Sequence, residues 1–329
     1  MKGVLLINTG SPKSNHPKDL RNFQEEILKD PFVINPAHGI PEFTSEPSSS
    51  DQNDASFHEI SKRFLKKIQD SNKIPVALVM HYGYPTIASG FQELEKKGVK
   101  EILVLPFYPQ FATSTVDSVI RKVNEIQNAH FPAIAIEYIH TYYDRIEYID
   151  VMVESITKAV DSINDTHVIF SYHGVPEHFS MERDFSKNQC TVVGACCDAS
   201  SDNHKTCYKK QCGATSAMIA EKLDIKPNAY TTAFQSRLGL EPWLQPTTKQ
   251  VFEHLLKEGV KNITLVFPGF ATDCQDTEKT AFLCKRIFTK IDGKTCTVVP
   301  CLNDSDAWVE VVSRWIFRWR ITDFKTAIA

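Results

Sequence analysis

Short apolar runs rich in β-branched residues punctuate the chain from its start. The clearest are Val4–Asn8, Val76–Met80, Ile102–Leu105, Ile134–Tyr138, His167–Ser171, Tyr230–Phe234, Ile263–Phe267 and Cys296–Val299. Between them lie amphipathic stretches of helical period: Ile87–Lys97, Val116–Ala129, Ile146–Ser162, Ala214–Leu223 and Lys249–Glu258. A strand that is apolar on both faces must be covered on both faces, and helices placed after strands achieve this in parallel βαβ units. The alternation predicts an α/β chain with doubly wound parallel sheets.

The pattern also repeats about half a chain later. Leu94-Glu-Lys-Lys-Gly-Val-Lys-Glu-Ile-Leu-Val-Leu-Pro returns as Leu255-Leu-Lys-Glu-Gly-Val-Lys-Asn-Ile-Thr-Leu-Val-Phe-Pro, and Phe111-Ala-Thr as Phe270-Ala-Thr. Ile7-Asn-Thr-Gly-Ser-Pro is echoed by Ser171-Tyr-His-Gly-Val-Pro. A chain of 329 residues has room for two domains, so duplication is the economical reading. Two Rossmann-like domains are expected, over residues 1–160 and 161–305, with the aromatic-rich 306–329 forming a helix that packs back on the first. Ligands in such folds bind beyond the carboxyl ends of the strands, here a cleft between the domains.

Charge narrows the partners. Lys and Arg number 37 against 40 Asp and Glu, for a net charge of −3, which offers no electrostatic footprint for nucleic acid. No apolar run has the length of a membrane span, and residues 1–8 read as a buried strand rather than a signal or transit peptide. The expected location is the cytoplasm, as a monomer or homodimer.

Residues just after the strands carry the chemistry: Asn8-Thr9-Gly10, His81-Tyr82-Gly83, Tyr108-Pro109-Gln110, His173-Gly174, Gln235-Ser236-Arg237 and Asp273 to Asp276. His173 at a strand end can serve as base or metal ligand near neutral pH, or simply satisfy a loop carbonyl. Asp273 reads equally as a helix N-cap. Together, a histidine and carboxylates at equivalent ends of two repeats suggest the walls of a cleft.

These motifs resemble those of the ferrochelatase family. The resemblance rests on Ser171-Tyr-His-Gly-Val-Pro, Phe234-Gln-Ser-Arg, Glu241-Pro-Trp-Leu-Gln-Pro, Pro268-Gly-Phe-Ala-Thr-Asp-Cys, Pro300-Cys-Leu-Asn-Asp-Ser, Leu6-Ile-Asn-Thr-Gly-Ser-Pro and Pro106-Phe-Tyr-Pro-Gln-Phe-Ala-Thr-Ser-Thr. It implies insertion of ferrous iron into a porphyrin, protoporphyrin IX first among them, as the last step of haem synthesis. In that frame His173 is the catalytic proton acceptor and Asp276 the carboxylate on the metal and proton route, both meeting the substrate iron. Tyr108, Ser236 and Trp243 build the porphyrin pocket.

The chain departs from the family in three places. Asp276 stands for a glutamate. His81 stands where arginine is common. Pro36 to Asp54, a polar segment, replaces an apolar, Arg-bearing lip that in the family contacts the porphyrin propionates and the membrane. A non-catalytic porphyrin-binding or haem-binding relative, and a small-ligand module of the same two-lobed build, are the competing readings.

Five of the nine cysteines, Cys190, Cys196, Cys197, Cys207 and Cys212, fall between residues 188 and 212. Without a secretion signal such clustering favours metal over disulfides. The segment is similar to the cysteine-rich insert of those ferrochelatases that carry a [2Fe–2S] cluster. The resemblance implies Cys190, Cys197, Cys207 and Cys212 as ligands, with Cys196 as alternate. A structural zinc ion would need the same thiolates, and free thiols remain a further alternative.

Overall fold

A computed structural model describes residues 1–14, 16–33, 53–182, 205–237, 241–289 and 293–322. All eight sequence-predicted strands form. β1 (Lys2–Asn8), β2 (Val76–Met80), β3 (Glu101–Pro106) and β4 (Ala135–Tyr138) make one sheet in the order β2-β1-β3-β4. β5 (His167–His173), β6 (Tyr230–Gln235), β7 (Asn262–Val266) and β8 (Thr295–Val298) make a second in the order β6-β5-β7-β8. Every pairing in both sheets is parallel. The two halves therefore share one topology, and β5 stands in the second sheet where β1 stands in the first.

Helices cover the sheets: α1 (Pro17–Leu28), α2 (Asn53–Ser71), α3 (Ile87–Lys96), α4 (Ser118–His130), α5 (Ile146–Ala159), α6 (Glu177–Glu182), α7 (Tyr208–Lys222), α8 (Thr248–Lys257), α9 (Gln275–Phe288) and α10 (Asp306–Ile321). Their ends follow from local chemistry. Thr86, Thr247 and Ser305 accept backbone N–H bonds as N-caps, satisfying donors that the first turn leaves free. The repeated Lys-Gly-Val and Glu-Gly-Val sequences end α3 and α8 alike. Gly98 and Gly259 both adopt φ 77°, a left-handed conformation that closes a helix and disfavours any side chain. A single turn of π-helix, Thr113–Asp117, leads into α4. Cys284 in α9 and Cys296 in β8 are joined by a disulfide.

α10 packs beside α2 and α5. Trp308 is fully buried against Phe107, Tyr142, Tyr148 and Trp315. Lys2 Nζ donates to the carbonyls of Trp319, Arg320 and Thr322, placing a cation at the negative end of the helix. One continuous apolar core runs from Val4 and Leu6 of β1 through Trp308 to Phe170 and Tyr172 of β5, so the two sheets share their packing.

Arg63 clamps the entry to α10, donating from Nε to Asp304 Oδ2 at 2.9 Å and from Nη2 to Oδ1 at 3.0 Å. The guanidinium lowers the Asp304 carboxyl below its ordinary value. A carboxyl depressed in the folded state adds stability above its unfolded pKa of about 3.9, and that stability is lost as pH falls through the folded value. Asp304→Asn is thus expected to lower the thermal midpoint at pH 7. The difference should vanish below both pKa values, which thermal unfolding as a function of pH would check.

Candidate active site

The run Val168–Tyr172 is buried, and β5 reaches the surface at its two ends, His167 and His173, the chain turning at Gly174 after the second. His173 Nδ1 lies 2.6 Å from the Gly174 carbonyl. A carbonyl can only accept, so Nδ1 carries the hydrogen and the neutral ring keeps a lone pair on Nε2. Nε2 stands 4.0 Å from Asp276 Oδ2, with side chains 40% and 44% exposed. A base and a carboxylate therefore share one face open to solvent.

Asp276 sits in the first turn of α9, where the helix dipole favours a negative charge. Ser236 Oγ donates to Asp276 Oδ1 at 2.9 Å, and Gln235 Nε2 donates to the Asp276 carbonyl at 3.1 Å. Ser236 holds this position with φ 64°, a left-handed conformation that costs a serine about 1–3 kcal/mol and is concentrated at functional sites. Asp273 does not cap α9 as the sequence suggested. Cys274 occupies the N-cap, with its N–H on Thr277 Oγ1 at 3.0 Å. Asp273 instead ties down the loop after β8, accepting from Cys301 N at 3.1 Å and Asn303 Nδ2 at 2.6 Å.

Trp243, 7% exposed, packs its ring 6.3 Å from that of His173, and Phe270 lies at 6.5 Å from the same imidazole. The Trp243 indole N–H has no partner among the described residues. Tyr108 comes from the other sheet, just beyond β3. Burial pushes its phenol up, and it interacts electrostatically with the Cys274 thiol, itself pushed up to about 12 by burial. Asn8 Nδ2 donates to Thr272 Oγ1 at 3.1 Å, joining the strand end of the first sheet to the loop before α9. His173, Asp276, Ser236 and Trp243 are thus gathered from the second half of the chain alone, whereas the sequence suggested a histidine and carboxylates at equivalent ends of two repeats: both follow strands of the same sheet, β5 and β7. Tyr108 is the contribution of the first sheet.

Cys190, Cys196 and Cys197 lie outside the described residues, as does nearly all of Pro36 to Asp54. Cys207, the N-cap of α7, and Cys212, five residues on, are both buried thiols. Tyr208 between them donates its hydroxyl to the His173 carbonyl at 2.9 Å, so the start of α7 supports the strand end that carries the histidine. Among the described residues, no group of three or more His, Cys, Asp or Glu side chains is arranged to hold a metal. No helix among them is long and apolar enough to cross a membrane.

His81, at the position of the expected arginine, is 1% exposed and bonded to Tyr108 and Ser118. Sequence reasoning singled out neither Ser118 nor Asp30, which completes that group. No motif marks them, because Asp30, just past the end of α1, and Ser118, at the start of α4, meet from positions 88 residues apart.

Comparison with known proteins places the chain in a family. The ferrochelatase family model matches residues 1–318. The chain is 31% identical to the ferrochelatase of Opitutus terrae, covering 97% of both chains. It is also 31% identical to that of Pseudomonas syringae pv. tomato, over 94% of this chain and 96% of the relative. Legionella pneumophila ferrochelatase is 31% identical over 94% of this chain and 97% of its own. Among solved structures, SirB from Bacillus subtilis with Fe3+ superposes with a TM-score of 0.55 at 12% identity, covering 96% of this chain and 94% of that one. A likeness so remote in sequence speaks for the fold alone. The near-complete match to the family model and the relatives spanning the whole chain make this protein a member of the ferrochelatase family.

Proposed function

We propose that this protein inserts ferrous iron into a porphyrin, protoporphyrin IX being the first candidate, within a cleft between lobes of residues 1–160 plus 306–329 and 161–305. The observation that carries this reading is the His173–Asp276 pair on a solvent-open face, with the lone pair of His173 Nε2 free to take a proton. Metallation of a porphyrin breaks two pyrrole N–H bonds. His173 Nε2 accepts one of these protons, and Asp276, 4.0 Å away, stabilises the resulting imidazolium. Iron enters as substrate, beside the same carboxylate. Tyr108 and Trp243 supply aromatic surface for the macrocycle.

Purified protein given porphyrin and ferrous iron without oxygen should lose free-porphyrin fluorescence and gain metalloporphyrin absorption. Tight porphyrin binding with no metalloporphyrin would overturn the activity in favour of a binding protein. Ser236 contributes through Asp276 as well as by lining the pocket. Ser236→Ala frees the carboxylate to rotate, and misplacement near an ångström costs up to ~100-fold in rate. A roughly tenfold loss of turnover is expected, with porphyrin affinity little changed in a fluorescence titration.

The cysteine segment fits a [2Fe–2S] cluster held by Cys190, Cys197, Cys207 and Cys212, or by Cys196 in place of Cys197. Cys207 is the N-cap of α7, where backbone N–H groups favour a thiolate, and Cys212 lies just over one turn further along the helix. Burial pushes the Cys212 thiol well up, so a thiolate there calls for a compensating cation. Such a cluster supplies redox or structural chemistry, since metal insertion transfers no electrons. Anaerobically purified protein should be coloured and contain iron and sulfide; colourless protein with one zinc would replace the cluster by zinc.

A further inference from the structure

A buried chain of hydrogen bonds leads away from Tyr108, and every donor in it points the same way. Ser118 Oγ donates its only hydrogen to Asp30 Oδ2 at 2.5 Å. Its oxygen can then only accept from His81 Nε2, 2.9 Å away, which places the imidazole hydrogen on Nε2. His81 Nδ1 is left as an acceptor, and the Tyr108 hydroxyl, at 3.3 Å, is its donor. Tyr108 itself lies just beyond β3, at its carboxyl end, and is 9% exposed. The imidazole has no exposed side-chain surface, whereas Asp30 is 11% exposed. Burial, reinforced by Lys122, keeps His81 neutral.

The charged and titratable groups around this histidine are Asp30, Tyr82, Tyr108 and Lys122. Tyr82 stacks on the ring at 3.9 Å and donates to Asp30 Oδ2 at 2.7 Å. Lys122 Nζ donates to the His81 carbonyl at 2.8 Å and pairs with Glu26 at 3.2 Å. None of them supplies a competing donor to Nδ1 among the described residues. The duplication adds a second observation. Thr9-Gly10 occupies after β1 the place that His173-Gly174 occupies at the end of β5, and Tyr108 follows the neighbouring strand β3, so the relay starts at the corresponding end of the other sheet.

We infer that Tyr108, His81, Ser118 and Asp30 form a proton relay that removes the second pyrrole proton from the cleft through the first lobe. The inference rests on the proposed metallation. The pyrrole N–H bond breaks, its electron pair stays on nitrogen to bind the iron, and the proton passes to the Tyr108 oxygen. Tyr108 gives its hydrogen to His81 Nδ1, His81 gives that on Nε2 to Ser118, and Ser118 gives its own to Asp30. Asp30 ends as a neutral acid and releases the proton to water; rotation of the hydroxyls and return of the His81 tautomer reset the chain.

The test is single-turnover metallation in H2O, D2O and their mixtures, for the wild type and His81→Gln. The amide of glutamine can fill the space and bond but cannot tautomerise. Metallation in the variant should fall by about 100-fold, in the range of lost acid–base assistance, with porphyrin binding by fluorescence unchanged within about twofold. The wild type should show a curved dependence on deuterium fraction, from several protons in flight, that becomes linear in the variant. Tyr108→Phe should give the same loss, and the double variant no further loss, as expected of residues acting as one unit. Full rate and unchanged curvature in His81→Gln overturn the relay while leaving metallation intact. A wild type that binds but does not metallate porphyrin overturns the activity first, and the relay loses its cargo with it. In either case, 15N NMR showing the His81 hydrogen on Nδ1 overturns the relay directly.

Discussion

Replacing His173 by alanine is expected to lower porphyrin metallation by about 10²–10⁴-fold, the usual contribution of a positioned general base. The protein should remain folded. The His173 side chain is 40% exposed, and its Nδ1 bond goes only to the neighbouring Gly174 carbonyl, so little packing is lost. Porphyrin affinity should change only a few-fold, because Trp243 and Tyr108 are untouched. Steady-state turnover alongside fluorescence titration distinguishes these effects. Loss of binding in proportion to turnover would make the imidazole a binding group rather than the proton acceptor.

The second large effect concerns the core. Trp308→Ala should destabilise the fold by about 3–5 kcal/mol, the cost of truncating a fully buried tryptophan. That is a large share of the 5–15 kcal/mol typical of a folded domain. Ring partners Tyr142, Trp315, Tyr148 and Phe107 lie at 5.8, 5.6, 5.9 and 6.3 Å, so the void opens among these rings. Trp308→Phe should cost markedly less. Phenylalanine refills much of the space and removes an indole N–H that is buried without a partner among the described residues. Urea unfolding would rank the two. Equal costs would mean that the ring's size, rather than its presence, sets the stability.

Much of the fold was legible because its determinants are local. Val4–Asn8 and His167–Ser171 read as buried parallel strands because unbroken aliphatic runs leave no face for water. The strands observed match those expected to within two residues at either end. Helices over 17–28, 53–71 and 275–288 were not anticipated, although Phe57, Ile60, Phe64 and Ile68 recur at helical spacing and form a buried stripe on the second of them. The start of α7 at Tyr208, ahead of the expected Ala214, lay hidden within the cysteine segment.

The candidate site was half legible for the same reason. His173, Tyr108, Ser236 and Asp276 were found because strand ends in a doubly wound fold are where ligands bind. Their division of labour was not. Ser236 was expected to line the pocket, and its hydroxyl bonds to Asp276. Asp273 was read as a cap, and it fastens the loop after β8.

Sequence alone therefore determined the alternation of strands and helices, the duplication, and a histidine and a carboxylate placed after strands. Each of these is written in residues near one another or in a motif repeated at fixed distance. Only the tertiary structure decided that His81 is sealed from solvent and linked to Tyr108, Ser118 and Asp30. Residues from four separated segments meet there, and hydrogen-bond direction depends on three-dimensional placement that no local pattern encodes.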